Sequence, residues 1–439
     1  MSPELLGGLM LALMIFVIFV GFPIAFTLLL LALVFGYLGL GDMVFYLMVF
    51  QTIGLMKEEV LAAVPLFIFM GYITEQAGLM ERLFRVLQLM MAPLRGSLYV
   101  AVILTATVFA MATGIVGAAV TVLGIMAAPI MIKSGYSPSL SAGAIAAGGT
   151  LGILIPPSVM IIVMAPVLGV SVVKLYAAAF GPGFLLAGLY IVYTLGRSYL
   201  NPRLGPAVPL GERATSVAEL GRAFVVGVVP LALLIGCTLG SILAGLATPT
   251  EAASVGASGA MILGFAYGRL TLSGIRQAAV STLTTSSMVL FLAVTSNVFG
   301  AVFARLGTAT VVTNALLALP VPPFVMLLIV MALIFLLGWP FEWPAIVLVF
   351  LPILYPVIAA LKYDPIWFGA LIAVNLQTAF LSPPVAMSAY YLRSVVPQWD
   401  LSTIYRGMMN FMVIQVICLI LVLLFPQIAL WFPNYLFGK

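Results

Sequence analysis

The run from Leu98 to Ile132, LYVAVILTATVFAMATGIVGAAVTVLGIMAAPIMI, is apolar almost throughout and too long for one upright membrane helix. At ~1.5 Å per residue it would reach about 50 Å, against a hydrocarbon core of about 30 Å. It is interrupted near its middle by Thr113-Gly114-Ile115-Val116-Gly117. Two half-length helices meeting there, entering and leaving on one side, resolve the mismatch. The next stretch, Leu140 to Leu168, is again apolar and is broken at Gly148-Gly149-Thr150 and Ile155-Pro156-Pro157. Backbone that leaves a helix inside a membrane frees carbonyls and amides, and persists only where protein or a water-filled site satisfies them. A re-entrant hairpin followed by a broken helix is an arrangement that can hold ions at mid-membrane.

Composition supports the membrane setting. The chain is 64% hydrophobic and 7% charged, where a soluble domain carries roughly a quarter charged residues. Runs of about 20 apolar residues fit spanning helices rather than the short alternating strands of a barrel. The N-terminal stretch lacks a positive region and a small-residue cleavage site, and is expected to be an uncleaved first span. Cys237 and Cys418 lie in apolar stretches and suggest buried thiols, not a disulfide framework. The net charge of +5 belongs to loops at the membrane surface, so nucleic acid is not an expected partner. There is no His, which excludes His-based triads and His-zinc sites, and no GxxxxGK[ST] loop for ATP.

Along the chain, Leu5–Gly21, Ile24–Leu40 and Leu61–Gly78 read as spans, with Met43–Gln51 either a short piece or an interfacial entry. Residues 80–96 carry Glu81, Arg82, Arg85 and Gln88 at helical spacing, which fits an interfacial arm or a solvated loop helix. The hairpin (98–132), the broken helix (140–168) and a span (172–196) follow. Residues 197–222, rich in Pro, Gly and charge, form the one clear linker. The pattern then restarts, with spans over 223–304 and Leu270–Gln277 as an amphipathic piece within them. An arm (308–320) leads to a second long run (323–356), broken at Gly338 to Pro344. A second broken helix (366–393), interrupted at Ser382-Pro383-Pro384, and a last span (411–431) complete the chain.

The two halves, 1–196 and 223–439, form a repeat. An offset of 227 residues carries Pro129 onto Pro356, Tyr136 onto Tyr363, Pro138 onto Pro365, Pro156 onto Pro383 and Pro157 onto Pro384. If each half crosses five times, the second is inverted relative to the first. Twelve Lys and Arg then share one side, while Lys57, Lys174, Arg305, Lys362 and Lys439 share the other. The richer side, with the linker, is expected to be cytoplasmic and both termini to lie outside. The expected fold is therefore an all-α polytopic membrane protein, an inverted repeat with two re-entrant hairpins whose tips meet.

Uncharged oxygens suffice for a sodium ion, and broken helices supply them without burying a charge. The first half offers Thr113, Gly114, Gly117, Gly148, Gly149, Thr150, Gly152 and Ser158 as sodium-binding candidates. The second offers Gly338, Glu342, Asn375, Gln377, Thr378 and Ser382, with Pro156, Pro157, Pro383 and Pro384 as helix breakers. The alternative is that these small residues only let helices pack closely. Glu342, at a break, could stabilise the tip, bind an ion or relay protons. Glu251, after Thr248-Pro249-Thr250, could relay protons, but reads better as a helix-start acid. No Arg lies in the proposed core, so an anionic substrate would rest on helix N-termini and backbone amides.

These residues resemble the large membrane subunit of the tripartite ATP-independent periplasmic (TRAP) transporters. The resemblance is carried by Gly21-Phe22-Pro23, Pro65-Leu66-Phe67 with Gly71, Thr113-Gly114 with Gly117, and Pro129 with Gly135-Tyr136. It continues in Ile155-Pro156-Pro157-Ser158, Thr248-Pro249-Thr250-Glu251-Ala252, and Pro352 with Pro356. It implies an elevator-type transporter of the ion transporter superfamily, driven by a sodium gradient across the bacterial inner membrane. It also implies a separate small membrane subunit, a periplasmic substrate-binding protein and an organic-acid substrate, with no enzymatic activity. Two features depart from the usual pattern. Thr113 stands where many members have Ser, and Trp339, Pro340, Phe341 and Trp343 make the second tip bulky. Asn375-Leu376-Gln377-Thr378 with Ser382-Pro383-Pro384 looks similar to the branch associated with mannitol, chloroaromatic or 2-oxo acid compounds. The rival readings are a proton-coupled organic-anion transporter, the permease of an ATP-driven importer, and an intramembrane enzyme, which the lack of His and of paired central acids disfavours.

Overall fold

The computed structural model describes residues 2–207, 216–383 and 386–438, which contain helices and no strand. Pro384 and the linker positions 208–215 lie outside the described residues.

The first half runs α1 (Pro3–Phe19), α2 (Ile24–Leu40), α3 (Met43–Met56), a 3-10 turn (Glu59–Ala62), α4 (Ala63–Gln76) and α5 (Leu79–Met91). It continues through α6 (Ser97–Thr113), α7 (Val116–Lys133), α8 (Pro138–Leu154), α9 (Val159–Leu168) and α10 (Val172–Leu200). The second half opens with α11 (Val217–Gly227), α12 (Val229–Ile235), a π-helical turn (Gly236–Gly240) and α13 (Ser241–Leu243). Then come α14 (Pro249–Ala266), α15 (Leu272–Arg305), α16 (Thr308–Leu317), α17 (Pro323–Leu337) and α18 (Trp343–Ala345). A second π-helical turn (Ile346–Phe350) joins α18 to α19 (Leu351–Ala360). The chain ends with α20 (Pro365–Gln377), a 3-10 turn (Thr378–Phe380), α21 (Met387–Val395), α22 (Leu401–Leu424) and α23 (Gln427–Phe437). Among the described residues seven helices are long and apolar enough to cross a membrane, or eight when the bent pair α8–α9 counts as one span.

Helices begin where the residue chemistry favours it. Pro138 and Pro365 open α8 and α20, where a proline costs no helical hydrogen bond. Asp364 accepts from the amides of Ile366 (2.8 Å) and Trp367 (2.9 Å), capping α20. The 227-residue offset found in the prolines also separates the starts of α7 and α18, at Val116 and Trp343. It separates the ends of α7 and α19, at Lys133 and Ala360, as well.

Several expected boundaries differ. The last span is not 411–431: α22 runs from Leu401 to Leu424, and Pro426 separates it from α23. Asp400 caps α22, accepting from the Thr403 amide at 3.3 Å, which sets the earlier start. Leu270–Gln277 is not a separate amphipathic piece, because α15 is continuous from Leu272. Helical residues enter the expected linker from both ends, through Leu200 of α10 and from the start of α11.

The chain doubles back between α6 and α7. Gly148 and Gly149 are neighbours on α8. A Cβ on Gly148 would lie 3.2 Å from Ala106 of α6, and one on Gly149 2.3 Å from Val120 of α7. In a straight helix Ala106 and Val120 would stand about 21 Å apart. The second half repeats the relation, since α20 meets α17 through Asn375 and Met331 and α19 through Phe368 and Tyr355.

Helices α1 to α4, α14 and α15 pack on one another, while α8 sits at the centre of a second group with α6, α7, α10, α20, α21 and α22. The two halves of the chain interlock in that second group. At Gly143 the backbones of α8 and α22 come so close that a Cβ would lie 2.7 Å from the Gly407 carbonyl oxygen.

Candidate functional site

The first hairpin tip is held by close backbone contacts made at glycines. Gly114 closes α6 at φ +62°, a conformation natural to glycine. A Cβ there would lie 3.0 Å from the Pro157 carbonyl oxygen. From α4, a Cβ on Gly71 would stand 3.0 Å from the Thr113 Cα, and from α8, one on Gly152 would stand 3.6 Å from the Ile115 amide nitrogen. Thr113, Gly114, Gly152, Pro157 and Ser158 are therefore brought together. The break itself bends α8 against α9 by 44°, and the Pro156–Pro157 peptide is cis. Ser158 caps α9, accepting from the Ile161 amide at 3.4 Å and donating to the Ile153 carbonyl at 2.5 Å. The Thr113 hydroxyl donates to the Phe109 carbonyl at 3.1 Å.

Gly148 and Gly149 sit at helix crossings on the hairpin arms instead, where close packing accounts for them. Thr150 donates to the Ala147 carbonyl at 2.8 Å and receives the Gln415 amide at 3.5 Å.

In the second half, Gly338 faces Ala379, whose Cβ would lie 3.1 Å from an added Cβ. The Asn375 amide donates to the Met331 carbonyl at 2.8 Å, tying α20 to α17, while its Oδ1 is buried without a hydrogen-bond partner. Gln377 is fully buried and neither its Oε1 nor its Nε2 is paired. Thr378 and Ser382 donate to the carbonyls of Asn375 and Thr378, each at 2.7 Å. Pro383 lies at this break; its neighbour Pro384 is outside the described residues.

The two tips share one cavity of about 130 Å³. Gly114 to Gly117 line it from the first hairpin, and Glu342, Trp343 and Pro344 from the second. Val116 and Val159 are the first residues of α7 and α9, so two helix N-termini border the same space. Their partial positive charge and first-turn amides suit an anion. The helix start at Trp343 offers less, since Pro344 has no N–H, the Ala345 and Ile346 amides donate to the Glu342 carbonyl, and Glu342 itself lines the cavity. Among the described residues the lining holds no Lys or Arg. A second cavity of about 400 Å³ adjoins it, shared through Met288, Val289, Glu342 and Pro344 and walled by Pro23 to Phe26 of the α2 entry.

Two polar lining residues, Tyr391 and Thr285, were not foreseen. Tyr391 of α21 crosses over to the first tip, its ring Cζ 3.1 Å from where a Cβ on Gly117 would lie. Thr285 of α15 lines the cavity and exchanges a 3.2 Å hydrogen bond with the Tyr72 hydroxyl of α4. Polar residues within apolar spans were the available signal. The same signal marks Ser296 and Asn297, which line a separate cavity of about 560 Å³ beside Gln51 and Glu58.

Glu251 stands apart from this site. Its carboxylate accepts from the Thr248 amide at 2.8 Å and hydroxyl at 3.0 Å, while its own amide donates to Thr248 Oγ1 at 3.3 Å. This reciprocal pair is a capping box that starts α14.

Residues 11–428 match the family described as tripartite ATP-independent periplasmic transporter, DctM component. The chain is 30% identical over 426 residues to the sialic acid TRAP transporter large permease protein SiaM of Vibrio cholerae, covering 96% of this chain and 97% of that protein. It is 29% identical to the C4-dicarboxylate TRAP transporter large permease protein DctM of Rhodobacter capsulatus, covering 99% of this chain and all of that protein (100%). Among solved structures, the Alcanivorax borkumensis YdaH transporter superposes with a TM-score of 0.65 at 18% identity, over 99% of both chains. MtrF of Neisseria gonorrhoeae gives a TM-score of 0.60 at 15% identity, over 90% of this chain and 85% of that one. These two likenesses concern the fold alone.

Proposed function

Since this chain belongs to the DctM component family of the tripartite ATP-independent periplasmic transporters, we propose that it is the translocating membrane subunit of a sodium-coupled organic-acid importer. As a member of that family it is a multi-span transporter subunit and not an enzyme. The relatives' names give sialic acid and C4-dicarboxylates as their substrates, and both are carboxylates. A small membrane subunit and a periplasmic binding protein complete the transporter.

The observation that carries this reading is the cavity shared by the two tips and bordered by the N-termini of α7 and α9. A substrate carboxylate rests on the amides of α7 and α9, with no basic side chain needed. Sodium ions sit behind the tips, one toward Thr113, Gly114 and Ser158 and another toward Asn375, Gln377 and Ser382. The unpaired Asn375 and Gln377 oxygens favour a ligand there, because an unsatisfied buried polar atom costs about 1–3 kcal/mol. At about 130 Å³ the cavity is smaller than the roughly 300–1,000 Å³ of ordinary ligand sites. Substrate therefore enters as the tips and Tyr391 separate. The group around α8 then slides as a body against α1 to α4, α14 and α15, carrying the site across the membrane.

Uptake of labelled carboxylates, presented on the binding protein, by proteoliposomes holding this chain with its small subunit tests the reading. Transport of neutral polyols at the rate of carboxylates would overturn the anion assignment.

A further inference from the structure

A groove of about 720 Å³ lies between α5 and α11 and shares no lining residue with the cavity at the tips. Arg82 and Arg85 line it from α5 and Arg222 from α11, with Glu219 as the one acidic residue in the lining. Three guanidinium groups against one carboxylate leave the groove cationic. Glu81, the one acid of α5, is turned to Arg269 in a 3.7 Å ion pair. Among the described residues neither Arg85 nor Arg222 has an ion-pair partner.

The groove has a built floor. A Cβ on Gly227 would lie 2.7 Å from Val86 and 3.0 Å from the Arg82 carbonyl oxygen, so α5 and α11 close on each other there. Tyr267 of α14 clamps the junction. Its hydroxyl donates to the Val226 carbonyl at 2.7 Å, and its ring lies 4.2 Å beneath the Arg82 guanidinium. Arg82 is thus held in place by a cation–π contact while its charge remains at the groove.

Immediately after Arg222 the surface turns apolar. Phe224 is 41% exposed and Val225 58% exposed. In a membrane protein such a step from guanidinium to bare apolar side chains within one helical turn marks the headgroup boundary. A free phosphate would use only the cationic end and leave the rest of a 720 Å³ groove unfilled. An anionic diacyl phospholipid fits both parts, its phosphate on the arginines and its acyl chains along Leu89 and Val226 of the lining and out over the exposed Phe224 and Val225.

We propose that this groove is a binding site for one anionic phospholipid, pinning the arm helix α5 to the start of the second half. The test uses the full chain, purified, delipidated and titrated with short-chain phosphatidylglycerol, phosphatidylcholine or inorganic phosphate, with bound adducts counted by native mass spectrometry. One phosphatidylglycerol is retained in preference to phosphatidylcholine. Each near-surface basic residue contributes about fivefold to anionic lipid binding, so Arg85→Gln with Arg222→Gln lowers retention by about tenfold or more. Arg85→Lys with Arg222→Lys keeps most of it, and Arg203→Gln, outside the groove, leaves it unchanged. The proposal is overturned if phosphatidylcholine binds equally, if the double Gln variant keeps the preference, or if inorganic phosphate binds as tightly as phosphatidylglycerol.

Discussion

Gly114, at the turn of the first hairpin, faces the carbonyl oxygen of Pro157 so closely that a Cβ would lie 3.0 Å from it. The tip of one element and the break of the next are thus fitted backbone to backbone. Gly114→Ala meets both this contact and the cost of φ +62°, about 1–2 kcal/mol for a residue with a side chain. Gly135→Ala is the control: its φ is +71°, but nothing lies within 4 Å of an added Cβ. Both variants should lose thermal stability in unfolding scans, while only Gly114→Ala should lose most of its uptake.

Gly117 and Tyr391 give a second test. Gly117→Leu drives a side chain into the Tyr391 ring and the shared cavity, so uptake should fall to background with the protein still folded by size-exclusion chromatography. Tyr391→Phe should retain uptake, since the Gly117 contact is with the ring carbons. Tyr391→Ala enlarges the cavity and should relax the preference among carboxylates of different size in competition assays.

The two central-looking acids should separate cleanly. Glu251→Gln removes the charged half of the Thr248 capping box, so thermal stability should drop while the ion dependence of uptake stays as it was. Glu342→Gln changes a residue that lines both adjoining cavities, and should weaken uptake and its response to sodium. Sodium titrations of the two variants decide the matter; a loss of proton-driven uptake in both would favour the proton-coupled mechanism.

The proposed sliding of one helix group against the other is tested by a cross-link between them. The rings of Phe19, at the end of α1, and Phe341, at the second tip, have centroids 6.2 Å apart. Phe19→Cys with Phe341→Cys, in a background of Cys237→Ser and Cys418→Ala, should be joined by a short thiol cross-linker. Joined protein should bind sodium but not transport, and a cleavable linker should restore uptake on reduction.

The breaks at Gly114, Pro156-Pro157 and Gly338 were legible in the sequence because Gly and Pro disfavour a continued helix. The same rule misplaced one, since α8 runs unbroken through the expected break at Gly148-Gly149-Thr150. The prolines spaced by 227 residues were legible because proline is rare in so apolar a chain. Tyr391 and Thr285 were not. In a chain this apolar, lipid-facing and core-facing positions look alike, so hydrophobic periodicity does not say which side of a helix meets the tips. The early start of α22 was written in Asp400 and Thr403, but as a short polar signal beside a long apolar one. The continuity of α15 was hidden by its polar first turns, which resemble a separate amphipathic helix. Among the candidate residues, the sequence did not distinguish Gly148 and Gly149, inside the unbroken α8, from Gly114 and Gly152 at the tip, because all four are small residues in apolar stretches.

The most direct test of coupling is uptake by proteoliposomes holding this chain and its small subunit, with substrate presented on its binding protein. A sodium gradient, a proton gradient or no gradient is imposed in the absence of ATP. Uptake should require both inward sodium and the binding protein. Uptake driven by protons alone, with sodium absent, would contradict sodium coupling and would remove the sodium sites proposed at Thr113, Ser158, Asn375 and Gln377.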